Sequence, residues 1–397
     1  PAAGALPATT VAFTYEDQTQ RPIALSGSQG IDVATSYSLT GRPLQFELSN
    51  NGGKKTWVTN TYEWGTERLA TSRVDRQDVA GVDRHNTYGY DQMGNILSVS
   101  DVSRSGTDTQ CFDYDYLRRM TTAWTQSTTT CATAPSGQTV GGPAPYWHSY
   151  TYDKVGNRET ETLHDVTGDT AKNTVRTYDY PDPGKPRPHA VNTVTQTGPG
   201  GTAQDSYGYD VVGNTDTRTL AGTTQDLDWD AEGHLVKVTK PVEGKPDDIT
   251  EYVYDASGNR LIARTSKETT LYLGATRITV AKGGTTAEAT RTLDLGSGHQ
   301  AVLDNDGSVS FTIADHLGTG QLAVDAGSQQ LTQRRMLPFG GTRGTEPSNW
   351  PGVQGFVGGV DDTESTGLQH LGAREYDPAT GRFLSVDPLL TPGDPQA

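Results

Sequence analysis

The sequence predicts an all-β protein, a spiralling sheet of stacked β-hairpins that forms a hollow shell or part of one. Three observations carry this. A short phrase, YDxxGN, recurs along the chain. Glycine (46) and tyrosine (18) are plentiful while apolar residues reach only 32%, against roughly 45–50% for an average soluble domain on a count that includes Gly. Helix-period apolar patterns are nearly absent. A disordered polar tract would not set its aromatics at regular places.

The phrase reads YDQMGN from Tyr90, YDKVGN from Tyr152, YDVVGN from Tyr209 and YDASGN from Tyr254. Degenerate copies start at Tyr37, Tyr62, Tyr114, Tyr178 and Trp229, so the nine aromatics are separated by 20 to 38 residues. A catalytic motif is normally written once, and a phrase written many times is architecture.

One unit can be read residue by residue. The stretch ITEYVYD (249–255) alternates with period two, as a strand does. Asp255 and Gly258 then stand at the first and fourth positions of a type I turn, as do Asp91 and Gly94, Asp153 and Gly156, and Asp210 and Gly213. The Gly258-Asn259 pair tolerates positive φ and lets the chain reverse. NRLIART follows, with Leu261 and Ala263 expected on one face and Arg260, Ile262 and Arg264 on the other. A single hairpin is marginal in water. Stacked edge to edge, hairpins satisfy each other's backbone and align Tyr90, Tyr152, Tyr209 and Tyr254 as a cross-strand ladder.

Residues 1–30 read as a lead-in that continues earlier repeats, and 31–270 as the hairpin array, with an insertion around 125–148. The start, PAAGALPATTVAF, lacks the basic and apolar regions of a signal peptide and begins as though cut from something longer. Cys111 and Cys131 are the two cysteines. They are read either as a disulfide pinning the insertion, worth about 3 kcal/mol in the entropy model, or as two buried thiols. No His cluster accompanies them, so no zinc site is expected.

The net charge of −16 argues against nucleic acid as a partner, because phosphate binding needs clustered Lys and Arg. Acidity serves solubility, or an acidic wall that steers cargo. No run of 18 apolar residues is present, so no membrane span is expected.

The YDxxGN phrase at this spacing resembles the YD repeats of the RHS family, which includes bacterial polymorphic toxins, C components of insecticidal toxin complexes and teneurins. The segments ADHLGTGQLAVD (314–325), RRMLPFG (334–340) and GFVGGVDDTESTGLQHLGAREYDPATGRFLSVDPLL (355–390) resemble the RHS-associated core domain, so 271–397 is read as that domain. The resemblance implies a strand spiral closing into a shell, a plug at one end, and an enclosed C-terminal effector polypeptide. It also implies an exported bacterial protein, secreted or at the cell surface.

In self-cleaving members the core domain is an aspartyl autoprotease, and its Arg and Asp match Arg374 and Asp387 here. Two carboxylates sharing one proton can hydrolyse a peptide, with a nearby Arg keeping one ionised. The family's second Asp comes about twenty residues later, past Ala397. Asp394 is too close to be that partner, and VDPLLTPGD lacks the Gly usual soon after Asp-Pro. This segment alone therefore cannot hold the whole reaction, and the other reading of Asp387 is a strand-end turn before Pro388.

Other motifs carry less. DNDG (304–307) lacks the later acidic ligand of a calcium loop and reads as a hairpin turn. HLGTG (316–320) lacks the Lys-Ser/Thr of a phosphate loop. His316 and His370 read as structural. No cofactor or metal is expected. The expected function is an encapsulating shell whose partners are the enclosed effector or upstream shell segments. The alternatives are a cell-surface adhesion or carbohydrate-binding repeat protein, meeting a glycan or a protein, and a carboxylate-based glycosidase.

Overall fold

One turn shows how the sheet is made. The Asp255 N–H donates to the Asn259 carbonyl at 2.9 Å, and the Gly258 N–H donates to the Asp255 carbonyl at 3.0 Å. The Asp255 Oδ1 accepts from the N–H groups of Ser257 and Asn259, while Asn259 Nδ2 donates to Asp255 Oδ2 at 3.1 Å. Gly258 has φ +78°, in the region where a Cβ is costly. Asn259 does not share it, which corrects the reading of the Gly-Asn pair. The asparagine locks the turn through its side-chain amide instead. The same clasp joins Asn95 to Asp91, Asn157 to Asp153 and Asn214 to Asp210.

The computed structural model describes residues 6–387. Among them twenty-seven strands, from Val11–Tyr15 to Leu331–Gln333, form one sheet. Each strand pairs antiparallel with the next in sequence. Pairing already includes the lead-in and continues through residue 271 without a break. Such a meander sends successive connections to alternate edges. Every YD turn therefore lies along one edge, and the returns, including the loop at 127–146, lie along the other.

At eight of the nine phrase aromatics the ladder slips by one residue, Tyr178 being the exception. Tyr254 pairs with Arg260 and Val253 with Ile262, so Leu261 is extra. Tyr37, Tyr62, Tyr90, Tyr152, Tyr209 and Trp229 repeat the slip. These are β-bulges, which bend the strand and reset which face follows. The bulge overturns the simple alternation expected for NRLIART. Arg260 and Ala263 are buried together, Leu261 and Ile262 are half-buried, and Arg264 is exposed.

The aromatics are tied unit to unit. Tyr62 donates its hydroxyl to the Pro43 carbonyl (3.0 Å), Tyr90 to Leu69 (2.8 Å), Tyr114 to Ile96 (2.9 Å), Tyr152 to Met120 (2.8 Å) and Tyr254 to Leu235 (2.8 Å). Trp229 does the same through its indole N–H, to Thr215 at 2.8 Å. Each acceptor is the residue across the preceding bulge. Tyr180, rather than Tyr178, fills this place between Tyr152 and Tyr209, donating to Arg158 at 3.0 Å. Tyr178 is buried and donates to Glu161 at 3.0 Å. In TYDY the two tyrosines stand two residues apart and share one face of the chain, so the repeat spacing alone could not choose between them.

The sheet curls on itself. Leu25, Val33, Phe46, Leu48, Val58 and Val74 share one core with Leu303, Phe311, Ile313 and Leu322. The C-terminal segment adds a small sheet of Val360–Asp362, Leu368–Leu371, Arg374–Asp377 and Arg382–Phe383. Its Leu368 and Leu384 are buried against Leu227, Leu235, Val238, Tyr252 and Ala263 of the large sheet.

Candidate functional site

The inward face of the large sheet grips the C-terminal segment with arginines. Arg218 donates to the Thr366 carbonyl, and its Nη1 lies 3.4 Å from Asp377 Oδ2. Arg260 donates to Asp362 at 2.6 Å and to Glu375 at 3.1 Å, its guanidinium 4.1 Å from the Tyr252 ring centre. Arg158 and Arg176 reach the Thr380 and Ala379 carbonyls at 3.2 and 2.6 Å. In the other direction Arg343 clasps Asp108 with two bonds, at 2.9 and 2.7 Å, and Arg335 adds a third at 3.0 Å. Planar guanidinium groups suit this work, since each satisfies several acceptors at once.

Local folding explains these arginines. Arg158 and Arg260 are the last letter of the GNR in their turns and occupy the bulge, which aims them inward. The signal is present in YDKVGNR and YDASGNR, and for Arg260 simple alternation gives the face of Ile262 and Arg264 instead of that of Ala263.

Burial shapes the charges. Burial pushes the Asp362 carboxyl up, against the pull of Arg260. Glu161 also meets the desolvating effect of burial, but His148, Arg176 and Arg158 outweigh it and hold the carboxyl down at about 2. His370 bonds Glu375 at 2.8 Å, so it serves the buried network. His316 lies in the turn after Asp315, edge-on to Tyr88 with ring centres 5.1 Å apart.

The predicted residues fall into separate places. Arg374 and Asp387 come together, Nη2 to Oδ2 at 2.9 Å, with the Arg374 guanidinium 3.8 Å from the Phe383 ring centre. Asp387 is the last described residue, and Asp394 lies outside the described residues. Cys111 and Cys131 face each other as a disulfide, Cα atoms 5.9 Å apart, which ties the strand Gly106–Tyr114 to the start of the insertion. The turn residues Tyr90, Asp91, Gly94, Tyr152, Asp153, Gly156, Tyr209, Asp210, Gly213, Tyr254, Asp255 and Gly258 line the YD edge, where Gly94 also borders a cavity shared with Asp315, His316 and Leu317. Asp377 combines two tasks. Its Oδ1 accepts from the Ala379 N–H in a turn, and its Oδ2 faces Arg218.

A strand spiral with its own C-terminal segment held against its inner face defines a structural shell protein. The chain belongs to the teneurin YD-shell family, whose model matches residues 147–392. It is 26% identical over 93% of its length to the toxin subunit YenC1 of Yersinia entomophaga, covering 41% of that protein. It is 29% identical over 60% of its length to the tRNA3(Ser)-specific nuclease WapA of Bacillus spizizenii, covering 9% of it. The chain thus spans well under half of the curated relatives it matches. Its fold also matches the crystal structure of TcdB2-TccC3-Cdc42, with a TM-score of 0.64 at 18% identity, covering 96% of this chain and 20% of that one. Among the described residues no helix is long and apolar enough to cross a membrane.

Proposed function

We propose that the chain is the plugged end of a shell that encloses a C-terminal effector polypeptide, in an exported bacterial protein of toxin type. The observation that supports it most is the arginine-held segment. Residues 334–387 fill the inner face, and at their end Leu384 accepts from the Thr215 N–H at 2.7 Å, beside the YD edge. A polypeptide continuing beyond this point starts at the wall, with its path set by the grip of Arg158, Arg176, Arg218 and Arg260. Its partners are that polypeptide and further shell segments. A cavity of about 400 Å³ between strands at 84–120 and the segment at 315–343 is of small-ligand size.

The 31–270 array is the wall in this reading, and 271–397 the closing domain. Self-cleavage belongs to it as a further step, with Asp387 as one carboxylate and Arg374 as its electrostatic partner. The experiment uses a polypeptide that continues past Ala397. Protease added outside should spare the downstream part until the shell is unfolded with urea. Asp387→Asn should leave one band on a denaturing gel where the unaltered protein gives two. Digestion of the downstream part in the folded protein would remove enclosure. Unchanged processing in Asp387→Asn would remove the assignment of Asp387.

An adhesion reading draws on Trp64 and Tyr116, both exposed at turn tips. The ladder rings are less available to sugars. Arg68 covers Tyr90 at 4.7 Å, Arg119 covers Tyr152 at 4.7 Å, and His234 stacks on Tyr254 at 4.6 Å. Glycan-array binding lost in Trp64→Ala would favour adhesion over enclosure.

A further inference from the structure

The two edges of the sheet differ in a way the shell reading does not use. Along the YD edge six of the YD turns carry large apolar side chains standing in solvent, Val155 (52% exposed) among them. Leu39 is 102% exposed, Trp64 99%, Tyr116 90% and Val211 96%, and Met93 is also exposed. Leu39, Trp64, Tyr116 and Val211 stand two residues after the phrase aromatic, Met93 and Val155 three, and the row is interrupted at the loop 181–192 before Val211. The opposite edge is built from turns such as Ser28-Gln29-Gly30, Asn51-Gly52-Gly53 and Ala221-Gly222, whose tips carry no large apolar side chain, and only Val102 (44% exposed) and Ile249 (39%), one residue inside their strand ends, are exposed near it among the described residues. Later YD turns lose the feature, with Ala231-Glu232 and Ala256-Ser257 at the same positions.

Chance exposure of single apolar residues is ordinary, but an aligned row is the mark of a contact surface. None of these side chains stabilises its own turn, which is held by the Asp carboxylate and the following amides. Turns on one edge are two strands apart, so tips of adjacent units are spaced about 10 Å. The row is therefore a crest of knobs with gaps between them.

We propose that this crest packs against the crest of a second copy of the chain, antiparallel, with the tips of each in the gaps of the other. The spacing supports this occupant, because an identical crest has the matching period and a two-fold axis closes the contact. The area supports it too. Trp64 and Tyr116 offer ~150–250 Å² each, and the row offers on the order of 700 Å² per copy, near the ~800 Å² per partner of a standard interface. The overall charge of −16 is not concentrated here. Asp91, Asp115 and Asp210 are engaged by their own turns, and Arg68 and Arg119 lie among the tips, donating to the Asp91 and Asp153 carbonyls. At 0.15 M salt the Debye length of about 8 Å screens the remainder.

The test is sedimentation velocity of the full chain from 1 to 100 µM, at 0.15 and 0.5 M NaCl. A monomer–dimer equilibrium is expected, tighter at the higher salt. The double variant Trp64→Ser/Tyr116→Ser should weaken it at least tenfold with an unchanged circular dichroism spectrum, and Asn51→Ser on the opposite edge should leave it alone. A wild-type chain that stays monomeric at 100 µM overturns the proposal, as does a dimer indifferent to the crest variant. Crest-dependent flotation of a monomer with phosphatidylcholine vesicles also overturns it, assigning the row to a lipid surface.

Discussion

Arg218 of the sheet and Asp377 of the C-terminal segment face each other at 3.4 Å, each side chain 1% exposed, across 159 residues of sequence. The same guanidinium also serves Gln225 and the Thr366 carbonyl. Neither charge has bulk water to fall back on, so the pair holds sheet and segment together only while both partners are present.

Removing one partner should therefore cost more than removing both. Arg218→Met is expected to lower unfolding free energy by about 3–5 kcal/mol, because a buried carboxylate is left without its cation. Arg218→Met/Asp377→Asn should recover part of that loss. Urea titrations of the two variants and the wild type check it, and equal losses would show that the pair is not coupled.

The tyrosine ladder makes a graded prediction. Tyr254→Phe removes a donor to the carbonyl of Leu235, a fully buried residue, and should cost about 1–2 kcal/mol. Tyr37→Phe removes the matching bond to the Pro22 carbonyl in an exposed setting and should cost about 0.5 kcal/mol. Denaturation midpoints of the two single variants would test the order.

The Cys111–Cys131 bond closes a loop across 20 residues. Cys111→Ser/Cys131→Ser is expected to lower stability by about 3 kcal/mol, mainly through the entropy of the unfolded chain. Mass spectrometry after alkylation of unreduced, denatured protein should find no modified cysteine. Two alkylated cysteines would restore the reading of two buried thiols.

Acid should unfold the protein in two stages. Burial, reinforced by Arg84, holds His299 down at about 3 against a usual 6.5. A neutral folded histidine contributes stability above pH 6.5, and this is lost as pH falls towards 3, because the unfolded chain binds the proton first. Glu161, at about 2 against 4.5, contributes stability above pH 4.5 that is lost as pH falls through 2. Thermal melts from pH 7 to 3 should show Glu161→Gln less stable at pH 7 and flatter below pH 4.5. A wild-type curve level from pH 7 to 4 would contradict the His299 stage.

Much of the wall could be read from the chain because each unit is local. Asp255, Gly258 and Asn259 lie within five residues, and a turn is decided at that range. Errors came where the register mattered. One extra residue at Leu261 turned Arg260 inward beside Ala263, and period-two reasoning has no means of seeing a bulge. Tyr178 and Tyr180 stand two residues apart on one face, and only the Arg158 carbonyl, brought alongside by the preceding hairpin, selects Tyr180.

The sequence by itself determined the all-β class, the hairpin unit, its turn chemistry and the pairing of neighbouring units, because these rest on contacts between nearby residues. Tertiary structure decided which arginines of the sheet face inward and which carboxylates and carbonyls of the C-terminal segment they meet. Those contacts join positions more than a hundred residues apart, as Arg260 with Glu375, and exist only once the sheet has curled and the C-terminal segment has entered its concave face. Curvature accumulates from many small bulges and twists, and no single residue announces its sum.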